Sequence, residues 1–174
     1  MADTAGAGEG AGAGAAAAAP RASGPTSGPT GAEIALVQNV LNRVMLALDD
    51  GDGEAFAGCF TPDGTCDVRL NGAHKEGADE LAALCEFLHS KFATCRHWEG
   101  NVCVTAGPDG TLKNVSYWKA MDGGTCVSTG VHRDTLVHSE TAGWQLKARV
   151  IEHVWTADGG HVSSTTGTTV AEKA

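Results

Sequence analysis

Residues 111–155 read TLKNVSYWKAMDGGTCVSTGVHRDTLVHSETAGWQLKARVIEHVW, and they contain three strand-like runs in succession. These runs cover 111–121, 125–138 and 144–155, and a fourth precedes them at 97–106. Turn-forming residues separate the runs, namely Pro108-Asp109-Gly110, Asp122-Gly123-Gly124 and the segment 139–143. Because short turns join antiparallel neighbours, this stretch predicts an antiparallel meander.

Upstream of the meander, apolar residues follow helical spacing. Thr30 and Glu33 fit a capping box, and apolar residues recur after it at Ile34, Val37, Leu41, Val44 and Leu48. A tight turn is predicted at 61–64, then a strand through Cys66, Val68 and Leu70. Apolar residues from Leu81 to Phe92 predict a further helix, with Asp79 and Glu80 in its first turn. Helices first and a meander last predict an α+β fold, with the helices on one face of a curved sheet.

The two ends of the chain differ in composition from this central part. Residues 1–31 are rich in Ala, Gly and Pro, which cannot bury enough apolar surface to fold, so we predict a disordered segment. An organelle transit peptide is the alternative, although Arg21 is the only basic residue there. The domain is predicted over 32–156, and the Gly, Ser and Thr content of 157–174 predicts a flexible tail.

Length and charge exclude several classes of protein. The chain has 174 residues, enough for one domain, and its net charge of −9 disfavours nucleic acid and anionic membranes as partners. It has neither a long apolar run nor a secretory signal, which predicts a cytoplasmic protein. The six cysteines include no C-x-x-C pair, so we predict neither a metal site nor a cofactor.

One predicted strand carries titratable residues on a single face. Along 125–138, period-two alternation places Ser128, Gly130, His132 and Asp134 together, and Val131 and Arg133 on the other face. An aliphatic face would be expected to pack against the helices. The sequence therefore leaves open whether His132 and Asp134 point into a pocket or into solvent.

Five segments in order resemble one protein family. They are Leu48-Asp49-Asp50-Gly51-Asp52, Phe60-Thr61-Pro62-Asp63-Gly64, Arg96-His97-Trp98-Glu99-Gly100-Asn101, Gly130-Val131-His132-Arg133-Asp134 and Gly143-Trp144-Gln145-Leu146-Lys147-Ala148-Arg149. The chain resembles the SnoaL-like branch of the NTF2-like superfamily over about 34–155. This resemblance implies a cone, in which a strongly curved antiparallel sheet and N-terminal helices enclose a pocket.

The same resemblance implies candidate site residues. Members include polyketide cyclases, scytalone dehydratase and ketosteroid isomerase, which move protons in an enclosed cavity without a metal, and others are only binding modules. By similarity to the cyclases and the dehydratase, Asp49, His97 and Asp134 form the catalytic set. In the dehydratase a second histidine pairs with the helix-end aspartate. Here Asp122-Gly123-Gly124 stands at the corresponding place, which predicts that this pair is absent.

Acid–base chemistry assigns a role to each candidate. Desolvation raises the pKa of a carboxyl group in an apolar pocket, and a histidine beside it is held charged or correctly oriented. Asp134 is accordingly predicted to abstract or return a proton with His97 as its partner. Trp98, Tyr117 and His132 are predicted to bind the substrate. Arg149 is predicted to pair with a carboxylate such as Glu152 or Asp134.

Two functions remain open at this point. The first is a cofactor-independent lyase or isomerase of dehydratase or cyclase type, acting on a small apolar carbonyl or polycyclic metabolite. The second is a non-catalytic module of the same fold that binds a small molecule or dimerises. The enzyme requires Asp134 and His97 within hydrogen-bond reach of each other or of one ligand atom. The open face of the sheet predicts a homodimer.

Overall fold

The computed structural model describes residues 28–157, 160–163 and 168–170. Three helices and eight strands lie in these ranges: α1 Gly31–Asp50, α2 Gly53–Gly58, β1 Phe60–Val68, β2 Ala73–Glu76, α3 Gly77–Phe92, β3 Cys95–Ala106, β4 Leu112–Asp122, β5 Thr125–Ser139, β6 Gly143–Thr156, β7 Gly160–Ser163 and β8 Thr168–Val170. A short 3₁₀ turn, Pro108–Gly110, joins β3 to β4. The predicted α+β class is confirmed.

The strands form one curved sheet in the order β2-β1-β6-β5-β4-β3. Strands β3 to β6 are antiparallel neighbours in chain order, so the predicted meander is confirmed. The pair β1 and β6 is parallel, which departs from the all-antiparallel sheet expected. A parallel neighbour needs a long crossover, and the stretch from β2 to β5 provides it.

Helix α1 begins and ends where its local sequence dictates. The Thr30 hydroxyl accepts from the Glu33 backbone N–H at 3.2 Å, and the Glu33 carboxylate accepts from the Thr30 N–H at 2.8 Å, which completes the predicted capping box. At the other end Gly51 adopts a φ of +71°, a left-handed conformation that glycine tolerates. Between these caps, one face of the helix is buried in the core.

The core lies between the helices and the concave face of the sheet. Leu112, Leu136 and Leu146 stand opposite one another on β4, β5 and β6, and they form an apolar row across the sheet. Val37, Leu41, Val44, Phe56, Leu81 and Leu84 pack in the same cluster. Burial of these side chains holds α1, α2 and α3 against the sheet.

Two local expectations need correction. The tight turn predicted at 61–64 lies inside β1, where the pairing with β6 shifts register between Phe60 and Thr65. An irregularity of this kind takes up the turn-forming residues without ending the strand. The hairpin strand β2 was not predicted, because its four residues are too few to display alternation.

The predicted ends are described only in part. Residues 1–27 lie outside the described residues, and Gly31 already belongs to α1. Within the predicted tail 157–174, β7 pairs with β6 and β8 pairs with β7, and the other residues beyond Ala157 lie outside the described ranges. No helix of the described part of the chain is long and apolar enough to cross a membrane.

Candidate functional site

The concave face of the sheet changes from apolar to charged along the strands. One step beyond the leucine row, Asn114, Asp134 and Arg149 stand opposite one another on β4, β5 and β6. Further along, Ser116 faces His132, and then Trp118 faces Gly130, which faces His153. The face of β5 that carries His132 and Asp134 therefore points inward, which settles the question that alternation alone left open.

Arg149 anchors a buried charged cluster. Its Nε and Nη2 donate to the two oxygens of Asp134 at 2.8 and 3.1 Å, and Nη2 also lies 3.3 Å from Glu99 Oε1. Arg149 is 1% exposed and Asp134 is 3% exposed. The predicted pairing of Arg149 with Asp134 is confirmed, whereas Glu152 pairs with Arg133 instead.

Neutral donors complete this cluster. The Ser116 hydroxyl donates to Glu99 Oε1 at 2.5 Å, and the Asn114 amide donates to Asp134 Oδ2 at 2.9 Å. Burial alone would raise the pKa of the Glu99 carboxyl, but Arg149, together with His132 and Ser116, outweighs it and lowers this pKa to about 2. Glu99 is therefore ionised throughout the physiological range.

His97 and Asp49 form a second pair, on β3 and at the end of α1. The ring nitrogen Nδ1 of His97 lies 2.7 Å from Asp49 Oδ1, and the His97 backbone N–H donates to Asp49 Oδ2 at 3.0 Å. A ring nitrogen that faces a carboxylate at this distance carries a proton, so in the neutral ring Nε2 is the free base. The helix-end aspartate thus pairs with His97, whereas Asp122-Gly123-Gly124 stands where the dehydratase has its second histidine.

The His97–Asp49 pair lies on the wall of a cavity of about 530 Å³ between the helices and the sheet. Most of its wall is apolar, with side chains such as Met45, Leu48, Phe56, Leu88, Phe92 and Ile151. Its titratable and polar lining includes Asp49, His97, His132, Arg149 and His153. An apolar cavity with a few convergent polar groups is the usual form of a small-molecule site.

Asp134 does not share this cavity with His97. Both of its oxygens are occupied by Arg149 and Asn114, and it does not line the cavity. The expectation that Asp134 exchanges protons beside His97 is therefore corrected. With both oxygens held by neighbouring side chains, Asp134 serves to hold Arg149 in place.

Trp98 and Tyr117 also lie elsewhere than predicted. They are 52% and 58% exposed, and they border a depression on the convex face of the sheet. Neighbouring residues of a strand point to opposite faces of the sheet. Trp98 therefore lies on the face away from His97 on β3, and Tyr117 lies on the face away from Trp118 on β4. Trp98 and Tyr117 therefore do not line the cavity of His97, whereas His132 does.

The sequence reasoning missed Glu99, Trp118 and His153. The signal for Glu99 was available, since it stands two residues after His97 on one strand and so shares its face. The Trp118 ring lies between two histidine rings, with centroids 5.7 Å from His132 and 4.9 Å from His153. Gly130 permits this, because a Cβ there would collide with the Trp118 ring.

His153 makes the stability of the folded protein dependent on pH. Burial, together with the nearby His132, lowers the pKa of His153 to about 4. The unfolded chain, with an ordinary histidine pKa of about 6.5, binds a proton at pH values where the folded protein does not. The free energy of unfolding therefore falls as the pH drops from about 6.5 to about 4.

We expect His153→Gln to reduce the stability lost between pH 6.5 and 4.5 by about 1–2 kcal/mol, measured by urea unfolding at both pH values. The control is His74→Gln, since His74 is exposed and its hydrogen bond to Asp67 raises its pKa. Equal pH dependence in wild type and His153→Gln would contradict the assignment.

The sequence of this chain matches one known protein family. Residues 31–150 match the SnoaL-like domain, and no curated protein matches the chain in sequence. No three His, Cys, Asp or Glu side chains of the described ranges are grouped so as to hold a metal ion.

Several solved structures share the fold. ActVI-ORFA from Streptomyces coelicolor is 22% identical, with a TM-score of 0.60 over 68% of this chain and 93% of that chain. Aln2 from a Streptomyces species is 23% identical, with a TM-score of 0.64 over 72% and 93%. An NTF2-like protein with a cystatin-like fold from Novosphingobium aromaticivorans is 24% identical, with a TM-score of 0.58 over 69% and 84%.

Proposed function

Because the chain belongs to the family of SnoaL-like domains, we propose that it is a cofactor-independent acid–base lyase or isomerase of the dehydratase or cyclase type. Members of this family include polyketide cyclases. The proposed substrate is a small apolar carbonyl compound or polycyclic metabolite, which suits a cavity of about 530 Å³ with a mainly apolar wall.

The observation that carries this proposal is the pairing of His97 with Asp49 on the cavity wall. His97 is the catalytic residue: its Nε2 takes a proton from a carbon next to the substrate carbonyl and returns it at the product position. Asp49 is a positioning residue, because its carboxylate fixes the ring through Nδ1 at 2.7 Å and stabilises the imidazolium that forms. Burial of the pair favours this role, since the side chains are 18% and 8% exposed.

The test is deuterium exchange of the α-protons of 2-tetralone, a fused bicyclic ketone, followed by NMR in D₂O. We expect the protein to accelerate exchange above the buffer rate, and we expect that acceleration to require His97. Exchange at the buffer rate in the presence of wild-type protein would overturn the proposal.

A second candidate function, pairing of two copies, is favoured by the convex face of the sheet. Four large apolar side chains are exposed on it, namely Trp98, Val115, Tyr117 and Val154. Contiguous apolar surface of this kind marks interfaces, and a second sheet packed face to face would cover it. We propose a homodimer built on this face.

We expect Tyr117→Glu to raise the dimer dissociation constant at least about tenfold, measured by sedimentation equilibrium, because it places a charge in the interface. Phe87→Glu is the matched control, since Phe87 is equally exposed but lies on α3. A wild-type protein that is monomeric at every concentration would refute the pairing.

A further inference from the structure

The cavity wall carries hydrogen-bond donors without protein acceptors. Among the described residues, four buried side-chain nitrogens have no hydrogen-bond partner. His132 Nδ1 lies 3.3 Å from the Glu99 carboxylate, and the other three are Trp118 Nε1, Arg149 Nη1 and His153 Nδ1. All three residues line the cavity, and Trp118 and Arg149 are only 6% and 1% exposed. Buried polar groups in proteins are nearly always paired, so these nitrogens indicate a place for a ligand atom.

The chemistry of the nitrogens defines that atom. An indole N–H and a guanidinium N–H can only donate, and a neutral histidine ring can donate from Nδ1. Burial and the neighbouring His132 lower the pKa of His153 to about 4, so its ring is neutral at pH 7. A ligand group that suits these three donors is an oxygen that accepts hydrogen bonds and donates none, such as the carbonyl oxygen of a ketone or a quinone.

The surrounding charge favours a neutral oxygen over a carboxylate. The single positive charge of Arg149 already faces two carboxylates, with Asp134 at 2.8 Å and Glu99 at 3.3 Å. Asp49 adds a further carboxylate on the same cavity wall. An anionic ligand group would enter a region with an excess of negative charge, and it would be repelled.

The position of these donors relative to His97 suits proton transfer. His97 stands opposite Ala120 on β4, and Trp118 stands two residues earlier on the same inner face of that strand. We propose that Trp118 Nε1 and Arg149 Nη1 form a carbonyl-binding subsite for a neutral aromatic or polycyclic ketone. This inference rests on the proposed function. Hydrogen bonds to the carbonyl oxygen make the neighbouring C–H more acidic. The negative charge of the enolate arises together with the positive charge that His97 gains with the proton, so the step adds no net charge to the cavity, unlike the entry of a carboxylate.

The experiment compares three ligands that share one ring system. They are 2-acetonaphthone, its hydrocarbon isostere 2-isopropenylnaphthalene, and the carboxylate 2-naphthoate, with binding measured at pH 7 by isothermal titration calorimetry in the wild type and in each variant. We expect the ketone to bind about tenfold more tightly than each of the other two. We also expect the carbonyl stretching frequency of the bound ketone to be lower in the wild type than in Trp118→Phe.

Trp118→Phe removes the donor and keeps an aromatic ring, so the advantage of the ketone over the hydrocarbon should fall severalfold. Trp98→Phe, on the convex face, is the matched control and should leave it unchanged. Equal binding of ketone and hydrocarbon, tighter binding of 2-naphthoate, or no binding of the ketone would overturn the subsite. His97→Gln is expected to retain ketone binding. If the wild-type protein binds the ketone but does not accelerate α-proton exchange, the proposed lyase or isomerase function is refuted and the carbonyl-binding subsite is not.

Discussion

Replacement of Arg149 by leucine is expected to lower the free energy of unfolding by about 3–5 kcal/mol. Arg149 is 1% exposed, and it neutralises two carboxylates that have no access to water, those of Asp134 and Glu99. Leucine would fill part of the volume but would leave both negative charges buried and uncompensated. The measurement is urea unfolding at pH 7, followed by circular dichroism.

Two further variants show whether the loss of stability comes from the missing charge of Arg149 and from its buried position. Arg149→Lys keeps the positive charge but loses the two-pronged contact with Asp134, so its cost should be smaller, about 1–3 kcal/mol. Arg133→Leu is the control, because Arg133 pairs with Glu152 while its side chain remains 54% exposed, and exposed pairs contribute about 1 kcal/mol or less. If Arg149→Leu cost no more than Arg133→Leu, the cluster would not be a stabilising element.

Replacement of His97 by glutamine is expected to reduce α-proton exchange of 2-tetralone by about 10²–10⁴-fold, the usual contribution of a general acid or base. Glutamine can still hydrogen-bond to Asp49 but cannot take up a proton near neutral pH. Asp49→Asn should cost less, about 10–10²-fold, because the base remains while its charged support is lost. The measurement is the exchange rate by NMR at saturating ketone.

The chain supplies its own matched control for this pair. His74 Nδ1 also lies 2.7 Å from an aspartate oxygen, that of Asp67, but its side chain is 55% exposed and it does not line the cavity. His74→Gln and Asp67→Asn should leave the exchange rate unchanged. If they reduced it as much as His97→Gln does, the activity would not belong to the cavity. A folded His97→Gln protein with full activity would exclude His97 as the base.

The local sequence determined the helices and the meander of this protein. The capping box at Thr30, the helical spacing that follows it, and the alternation along 125–138 each act between residues a few positions apart. Such signals can be read without the fold, and the structure confirms all three. Alternation along β3 also indicates that Glu99 lies on the same face as His97 and that Trp98 lies on the opposite face. Trp98 was nevertheless predicted to bind the substrate, because it is a polar-tipped aromatic next to His97 in the sequence.

Tertiary structure decided which of the possible charged partners meet, including the choice of Asp134 over Glu152 for Arg149. Asp49 and His97 are 48 positions apart, and they meet because α1 ends against the first residues of β3. Asp134 and Arg149 are 15 positions apart, and the register of β5 against β6 sets them opposite each other. The sequence predicted three acid–base candidates as one set, and the fold separates them into a cavity pair and a buried ion pair.

The physical reason is that the role of a carboxylate depends on what lies within about 4 Å of it, which only packing specifies. Asp134 is bound through both oxygens by Arg149, so it serves as a fixed counter-ion. Asp49 lies beside a histidine on the cavity wall, so its charge can support proton transfer. The sequence identifies both aspartates as candidates but does not distinguish them. The packing of helix and strands gives them different neighbours and therefore different chemical roles.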